Sequence, residues 1–388
     1  MNKKHLIVLT LIASAICAGI GIVQWSDSAA QAHPLQSATP TPSLTFLPII
    51  RADQSGGKPT TLTPIYYSAE SPFNQKIPSN PQIDPNSATM VQSLLRDARN
   101  QGYYIVVDKW TVPIYYSDAN TPRYNVRLTA DWARWFATTM NGVPIPDWAA
   151  PDPQDDGSMT IVDLTTNCEY DFWQAKNQNG QWQASWGNSL KIDGQGIFLK
   201  GLSARGSGFA LLAGMIWPDE LRNGRIDHAL LFSYNYTKSG GPVSPATESD
   251  GESLSADAIP EGARIQLDPT LNLDTLNLTP YEKTIAKALQ EYGMILGDNS
   301  GGGISLYAVH PMSAQGNLYE GILPPPDPMD GFVLLPNIPV DKFRVLLLGS
   351  QIPDPEIALS VMPGDFLAWP LPTHLNNRAT EHPAQSRV

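Results

Sequence analysis

Proline and glycine punctuate this chain from end to end, 35 and 30 of them in 388 residues. Such spacing breaks long regular elements and fits many short strands joined by turns. Runs rich in β-branched and aromatic residues fall between the turn signals at 103–107, 125–129, 159–164, 169–175, 229–236, 264–267, 304–308 and 343–348. Asn179-Gly180, between Lys176 and Trp182, predicts a tight hairpin. Helical periodicity is confined to a few places. Residues 87–101 carry Met90, Val91, Leu94, Leu95 and Ala98 on one face, with Gly102 as a stop. Residues 279–292 open on Thr279-Pro280-Tyr281-Glu282, a capping box with proline at the first helical position. Residues 131–140 predict a third, shorter helix. The expected fold class is therefore mainly β: a single β-sandwich or jelly-roll-like domain with two or three short α-helices, and not a parallel βαβ sheet.

The first 32 residues read as an export signal. Asn2-Lys3-Lys4-His5 gives a positive start, Leu6 to Val23 is almost wholly apolar, and Ala30-Gln31-Ala32 offers a small-residue cleavage site. The apolar run is nearly long enough to span a bilayer, so an uncleaved N-terminal anchor is the alternative, and the one expected route to a membrane. Residues 33–63, rich in Pro, Ser, Thr and Gly, read as a flexible tether, 64–370 as one globular domain and 371–388 as a disordered tail. The expected location is extracellular or at the cell surface. Loss of residues 1–32 removes Lys3, Lys4 and Asp27 and leaves 23 basic against 36 acidic residues, a net charge of −13. A chain this acidic repels phosphate backbones, so nucleic acid is not an expected partner. Cys168 is then the only cysteine of the mature chain, so no internal disulfide is expected, and Cys168 reads as a buried, inert thiol with a nucleophile as the alternative.

The strand at 169–175 carries the leading chemical candidate. Side chains alternate along a strand, so Glu169, Asp171 and Trp173 share one face. Carboxylates at i and i+2, with Cα atoms about 6.5–7 Å apart, suit the spacing of a glycosidase acid pair. An adjacent indole ring suits a pyranose face. The plainer reading is a solvent-facing acidic stripe with an incidental tryptophan. Eight of the ten tryptophans fall between Trp110 and Trp217, among them Trp173, Trp182 and Trp186 near the hairpin. Trp173 and Trp186 are the candidate sugar platforms, although core packing claims most of the others. His228 enters an apolar strand from a turn, as a general base or a hydrogen-bonded core residue. Asp298 and Asn299 follow an apolar strand and precede Gly301-Gly302-Gly303, a loop suited to ligand or Ca²⁺ contact, or simply to a turn. Arg264 is a candidate partner for one of these carboxylates.

The segment Glu169 to Gln174 resembles the E-x-D-x-x-E strand of laminarinase- and lichenase-type β-glucanases, which are jelly rolls. The third acid of that pattern is Gln174 here, and an amide cannot donate the proton to a leaving oxygen, so that family is not assigned. The phrases around Pro72-Phe73-Asn74, His228, Arg264 and Asp298-Asn299 resemble a group of secreted bacterial proteins without an established activity. That likeness runs over most of residues 65–350, implies that the span is one unit, and implies no reaction.

Nucleophile-elbow, zinc-protease, P-loop and dinucleotide motifs are absent from the sequence. The leading expectation is thus a secreted carbohydrate-active protein, a glycoside hydrolase with Glu169 and Asp171 as the acid pair. His228 and Asp298 would support catalysis, and Trp173, Trp186, Arg264 and Asn299 would bind the extracellular glycan. A non-catalytic glycan-binding or structural surface module is the alternative. A polysaccharide lyase using His228, a tyrosine and Arg264 is the third. No cofactor or catalytic metal is expected; structural Ca²⁺ is the one ion the loops admit.

Overall fold

The computed structural model describes residues 57–353. The export signal, residues 33–56 of the tether, residues 354–370 of the domain and the tail 371–388 lie outside the described residues. Leu62, at the end of the expected tether, is buried in the main core, so the folded body begins before residue 64.

Fifteen strands and three α-helices, with short 3₁₀ turns, make up the described residues. Helix α1 (Ser87–Gln101) is followed by β1 (Tyr103–Val106), β2 (Ile114–Ser117), β3 (Arg123–Leu128) and β4 (Thr139–Pro144). Then come β5 (Met159–Asp163), β6 (Cys168–Trp173), β7 (Lys176–Gln178), β8 (Gln181–Ala184) and β9 (Trp186–Lys191). Helix α2 (Pro218–Asn223) leads to β10 (Leu230–Tyr234) and β11 (Arg264–Leu267). Helix α3 (Pro280–Glu291) precedes β12 (Met294–Asn299), β13 (Ile304–Tyr307), β14 (Phe332–Leu334) and β15 (Phe343–Val345).

The strands form three sheets. The largest has the order β14-β1-β13-β10-β12-β11-β15, the second β2-β5-β6-β9 and the third β4-β3-β8-β7. Each mixes directions: β1/β13, β10/β12, β2/β5 and β3/β8 are parallel and the remaining pairs antiparallel. The second and third sheets make a β-sandwich. Tyr115, Ile161, Tyr170 and Phe172 of one meet Val126, Leu128, Val143 and Trp182 of the other in a common apolar core. The alternate residues of the second sheet, such as Ile114 and Val162, join the core of the largest sheet instead. The second sheet is therefore a middle layer, buried on both faces, and this fact governs the site described below.

Local chemistry explains the elements. The predicted hairpin closes at Asn179 and Gly180, both at positive φ (+54° and +83°), as a tight two-residue turn requires. Helix α1 buries Met90, Val91 and Leu94 and stops at Gly102, whose N–H reaches the Ala98 carbonyl. Helix α3 starts on the predicted capping box, with the Thr279 and Glu282 side chains each engaging the other's backbone N–H. Thr279→Ala is expected to lower stability by about 1 kcal/mol in urea denaturation, the usual loss for an N-cap hydroxyl.

The helix expected at 131–140 is not formed. Asp131–Trp135 is a single 3₁₀ turn, and Met140 pairs with Val126 in β4. Trp132 and Phe136 are drawn onto Trp186, and the following β-branched Thr138-Thr139 favours the strand. Helix α2 was not anticipated, though Pro218 at its first turn with Asp219 and Glu220 is a recognisable start.

Candidate functional site

Strand β6 places Glu169 and Asp171 on one face, as its alternation dictates, but that face is turned inward. Both residues are 0% exposed. Tyr170 and Phe172 fill the sandwich core behind them. The Tyr67 hydroxyl donates to Glu169 Oε2 at 2.6 Å, and the Leu212 N–H to Oε1 at 3.2 Å. The Thr160 hydroxyl donates to Asp171 Oδ1 at 2.7 Å, and the Leu211 N–H to Oδ2 at 2.8 Å. Every oxygen of the pair thus accepts a hydrogen bond from the protein. The two carboxyl groups also lie within hydrogen-bonding reach of each other. Burial, and then the Asp171 charge, hold Glu169 well above its ordinary pKa of 4.5. Burial also raises Asp171, although the Leu211 N–H, Glu169, Thr160 and Arg205 favour its anion. Of the pair, Glu169 is therefore the acid whose surroundings favour holding a proton, with Asp171 as its neighbouring acceptor. Such contact is closer than the 5–5.5 Å of a retaining glycosidase pair.

Arg205, buried itself, links this dyad to a second group of acids. Its guanidinium lies over the Tyr307 ring at 5.0 Å, donates to the Leu211 carbonyl at 3.3 Å, and reaches Asp298 Oδ2 at 3.2 Å. Asp298 is aimed there by a bulge. Phe232 pairs with Leu296 and Ser233 with Asp298, so Gly297 is the extra residue between them. Asp250, Glu261 and Asp298 bring one carboxylate oxygen each to within 4.8 Å of one another. The Asp298 side chain is 29% exposed, whereas Glu261 is 0% exposed. Burial pushes Asp298 up to about 7, with Arg205 opposing and Asp250 and Asp156 adding to it. Burial and then Asp250 and Asp298 push Glu261 well above its ordinary value. Ser249 and the Asp250 amide approach Glu261 and offset part of this, yet neither Glu261 oxygen accepts a completed hydrogen bond.

The structure separates the remaining sequence candidates from the dyad. Trp186 is buried, its indole N–H on the Leu202 carbonyl at 3.2 Å, so it offers no ring face to a sugar. Trp173 is half-buried at the end of β6, with its indole nitrogen 3.5 Å from Asp156. His228 is fully engaged between the Ala229 carbonyl (2.9 Å) and Glu220 (3.1 Å). Burial opposes its charge, but Glu220 and the carbonyl outweigh that and raise its pKa, the state of a proton holder and not of a free base. Glu220 also takes the Tyr66 hydroxyl and the Trp217 N–H, which makes it a local organiser. Arg264 donates to the Tyr292 and Gln75 carbonyls at 2.8 and 2.6 Å, not to a carboxylate. Burial lowers its pKa to about 10. Asn299 is exposed and contributes its backbone N–H to Asp298.

Tyr67, Arg205, Asp250 and Glu261 were not singled out from sequence. Pro260-Glu261-Gly262 and Ser249-Asp250-Gly251 look like ordinary acidic turns, and only the fold brings them to Asp298. A cavity lined by Tyr66, Tyr67, Phe73, Leu212, Trp217 and His228 has room for about one water molecule, far less than a sugar ring needs. The exposed aromatic chemistry lies elsewhere. Phe136 is 55% exposed over buried Trp186, and the turn at Leu199, itself 60% exposed, brings Gly201 against the Phe136 ring. The Gly201 N–H is held by Glu248 at 3.0 Å. Comparisons with protein-family models, with curated proteins and with solved structures found no match.

Proposed function

We propose that this protein is an exported, non-catalytic surface module that engages glycans, with Glu169 and Asp171 serving the fold. The observation that carries this reading is the sealed dyad, in which every carboxyl oxygen is taken by a protein donor and none faces open space. A hydrolytic pair needs a substrate oxygen and a water between its acids, and the packing of β6 leaves room for neither. The surface that suits a sugar is the Phe136–Leu199 turn, an apolar ring face with the Glu248 carboxylate beside it. Phe136→Ala is expected to weaken binding to the preferred polysaccharide about tenfold, the scale of one lost ring contact, in a depletion assay across a glycan panel. Unchanged binding would remove this surface from the account.

The hydrolase reading retains one supporting observation, a pair of converging carboxyl groups with raised proton affinity. Reducing-end release across the same panel separates the two. The module releases none. Release by the wild type that Asp171→Asn abolishes would establish the hydrolase.

A further inference from the structure

The geometry points to a binding site for a calcium-sized divalent cation formed by Asp250, Glu261 and Asp298. Three carboxylates converge from separate segments: the turn at 249–251, the loop before β11, and the bulged end of β12. Their oxygens lie within 4.8 Å of one another. Two ligands of one ion are separated by at most twice the metal–oxygen distance, which is about 4.6–5.2 Å for Ca²⁺ and about 4.2 Å for Mg²⁺. Oxygens gathered within that span can share one such ion.

Glu261 supplies the second, independent indication. It is wholly buried, its carboxylate turned into the cluster, and neither oxygen accepts a hydrogen bond. A buried carboxylate that Ser249 and the Asp250 amide only approach is costly and calls for a counter-charge. Arg205 meets the cluster at Asp298, and a divalent ion would supply the counter-charge that Glu261 calls for. The backbone approaches closely enough to close the site: a Cβ on Gly206 would sit 2.6 Å from Asp250 Oδ2. Asp250 and Asp298 are partly exposed and give the ion a way in, with Glu261 as the floor. Three carboxylates suit the modest affinity of extracellular sites, with Kd on the order of 10⁻⁴ M.

Isothermal titration of the chelator-treated full chain with CaCl₂, paired with thermal melts, tests this. The wild type is expected to bind one Ca²⁺ and to melt several degrees higher in millimolar CaCl₂ than in EDTA. Glu261→Gln and Asp298→Asn, which keep side-chain volume, are expected to weaken binding at least tenfold and to lose the calcium-dependent rise. Asp341→Asn, on the exposed Asp341–Lys342 pair, is expected to retain both. Melting of Glu261→Gln in EDTA confirms that it folds. The assignment would be overturned if the wild type showed neither heat nor a melting shift at millimolar calcium. Calcium binding that survives both ligand substitutions would overturn it equally.

Discussion

Asp171→Ala is expected to lose about 4–5 kcal/mol of stability, enough to leave much of a marginally stable domain unfolded. Alanine leaves the Leu211 N–H and the Thr160 hydroxyl without their acceptor inside the protein. Each orphaned buried donor costs roughly 1–3 kcal/mol, and the vacated volume adds a cavity term. The acid proton of Glu169 loses its acceptor as well. Asp171→Asn behaves differently, since its amide keeps an acceptor for Leu211 and the Thr160 hydroxyl can turn to accept. The asparagine variant is expected to stay within about 1 kcal/mol of wild type in equilibrium urea unfolding, an inference from retained hydrogen bonds. Equal loss in both variants would show that the charge itself, and not the hydrogen-bonded shape, holds β6 in place.

Gly262→Ala is expected to prevent folding. Gly262 has φ +88°, where an L-residue costs roughly 1–2 kcal/mol. A Cβ there would also land on the Val243 carbonyl oxygen, far inside van der Waals contact, and 3.0 Å from the Ala246 nitrogen. Both neighbours are backbone and cannot swing aside. The Gly262 N–H meanwhile ties this turn to the Leu296 carbonyl of β12. The penalty sums to more than 4 kcal/mol, the range reserved for gross steric conflict. Soluble Gly262→Ala protein with wild-type circular dichroism and melting temperature would contradict the backbone path assigned to residues 243–262.

How much of this was legible beforehand differs by layer. The capping box at Thr279, the stripe of α1 and the Asn179-Gly180 hairpin are local signals, and each produced its element at the expected residues. The strand at 168–173 was legible as a strand, and so was the shared face of Glu169 and Asp171. Its environment was not. A strand whose polar residues alternate with apolar ones normally faces water on one side, but here the acidic face meets Tyr67, Leu211 and Leu212 from distant segments. The same long-range closure gathers Asp250 and Glu261 around Asp298. Trp186 read as a platform because composition says nothing about which side of a sheet a third layer covers.

The sealed dyad has a pH signature. A carboxyl group whose pKa is raised on folding contributes stability that is complete below its unfolded value, here 4.5, and is lost as pH rises through the folded value. Glu169 therefore weakens the fold progressively from about pH 4.5 upward. His228, raised above 6.5, pulls the same way, and His310, lowered to about 4 by burial, pulls against it. The difference between Glu169→Gln and wild type isolates the dyad. The glutamine variant is expected to melt higher at pH 8 and to converge with wild type near pH 4.

A neutral Glu169, sealed in the middle sheet and donating its proton to Asp171, has a spectroscopic signature. Infrared difference spectroscopy between wild type and Glu169→Gln at pH 8 reads this directly. The wild type is expected to show the carbonyl stretch of a protonated carboxylic acid, slow to shift in D₂O and missing from the variant. A spectrum with only ionised carboxylate lost at position 169, or an acid band that exchanges at once with solvent, would contradict it and return the pair to an open, solvent-reached site.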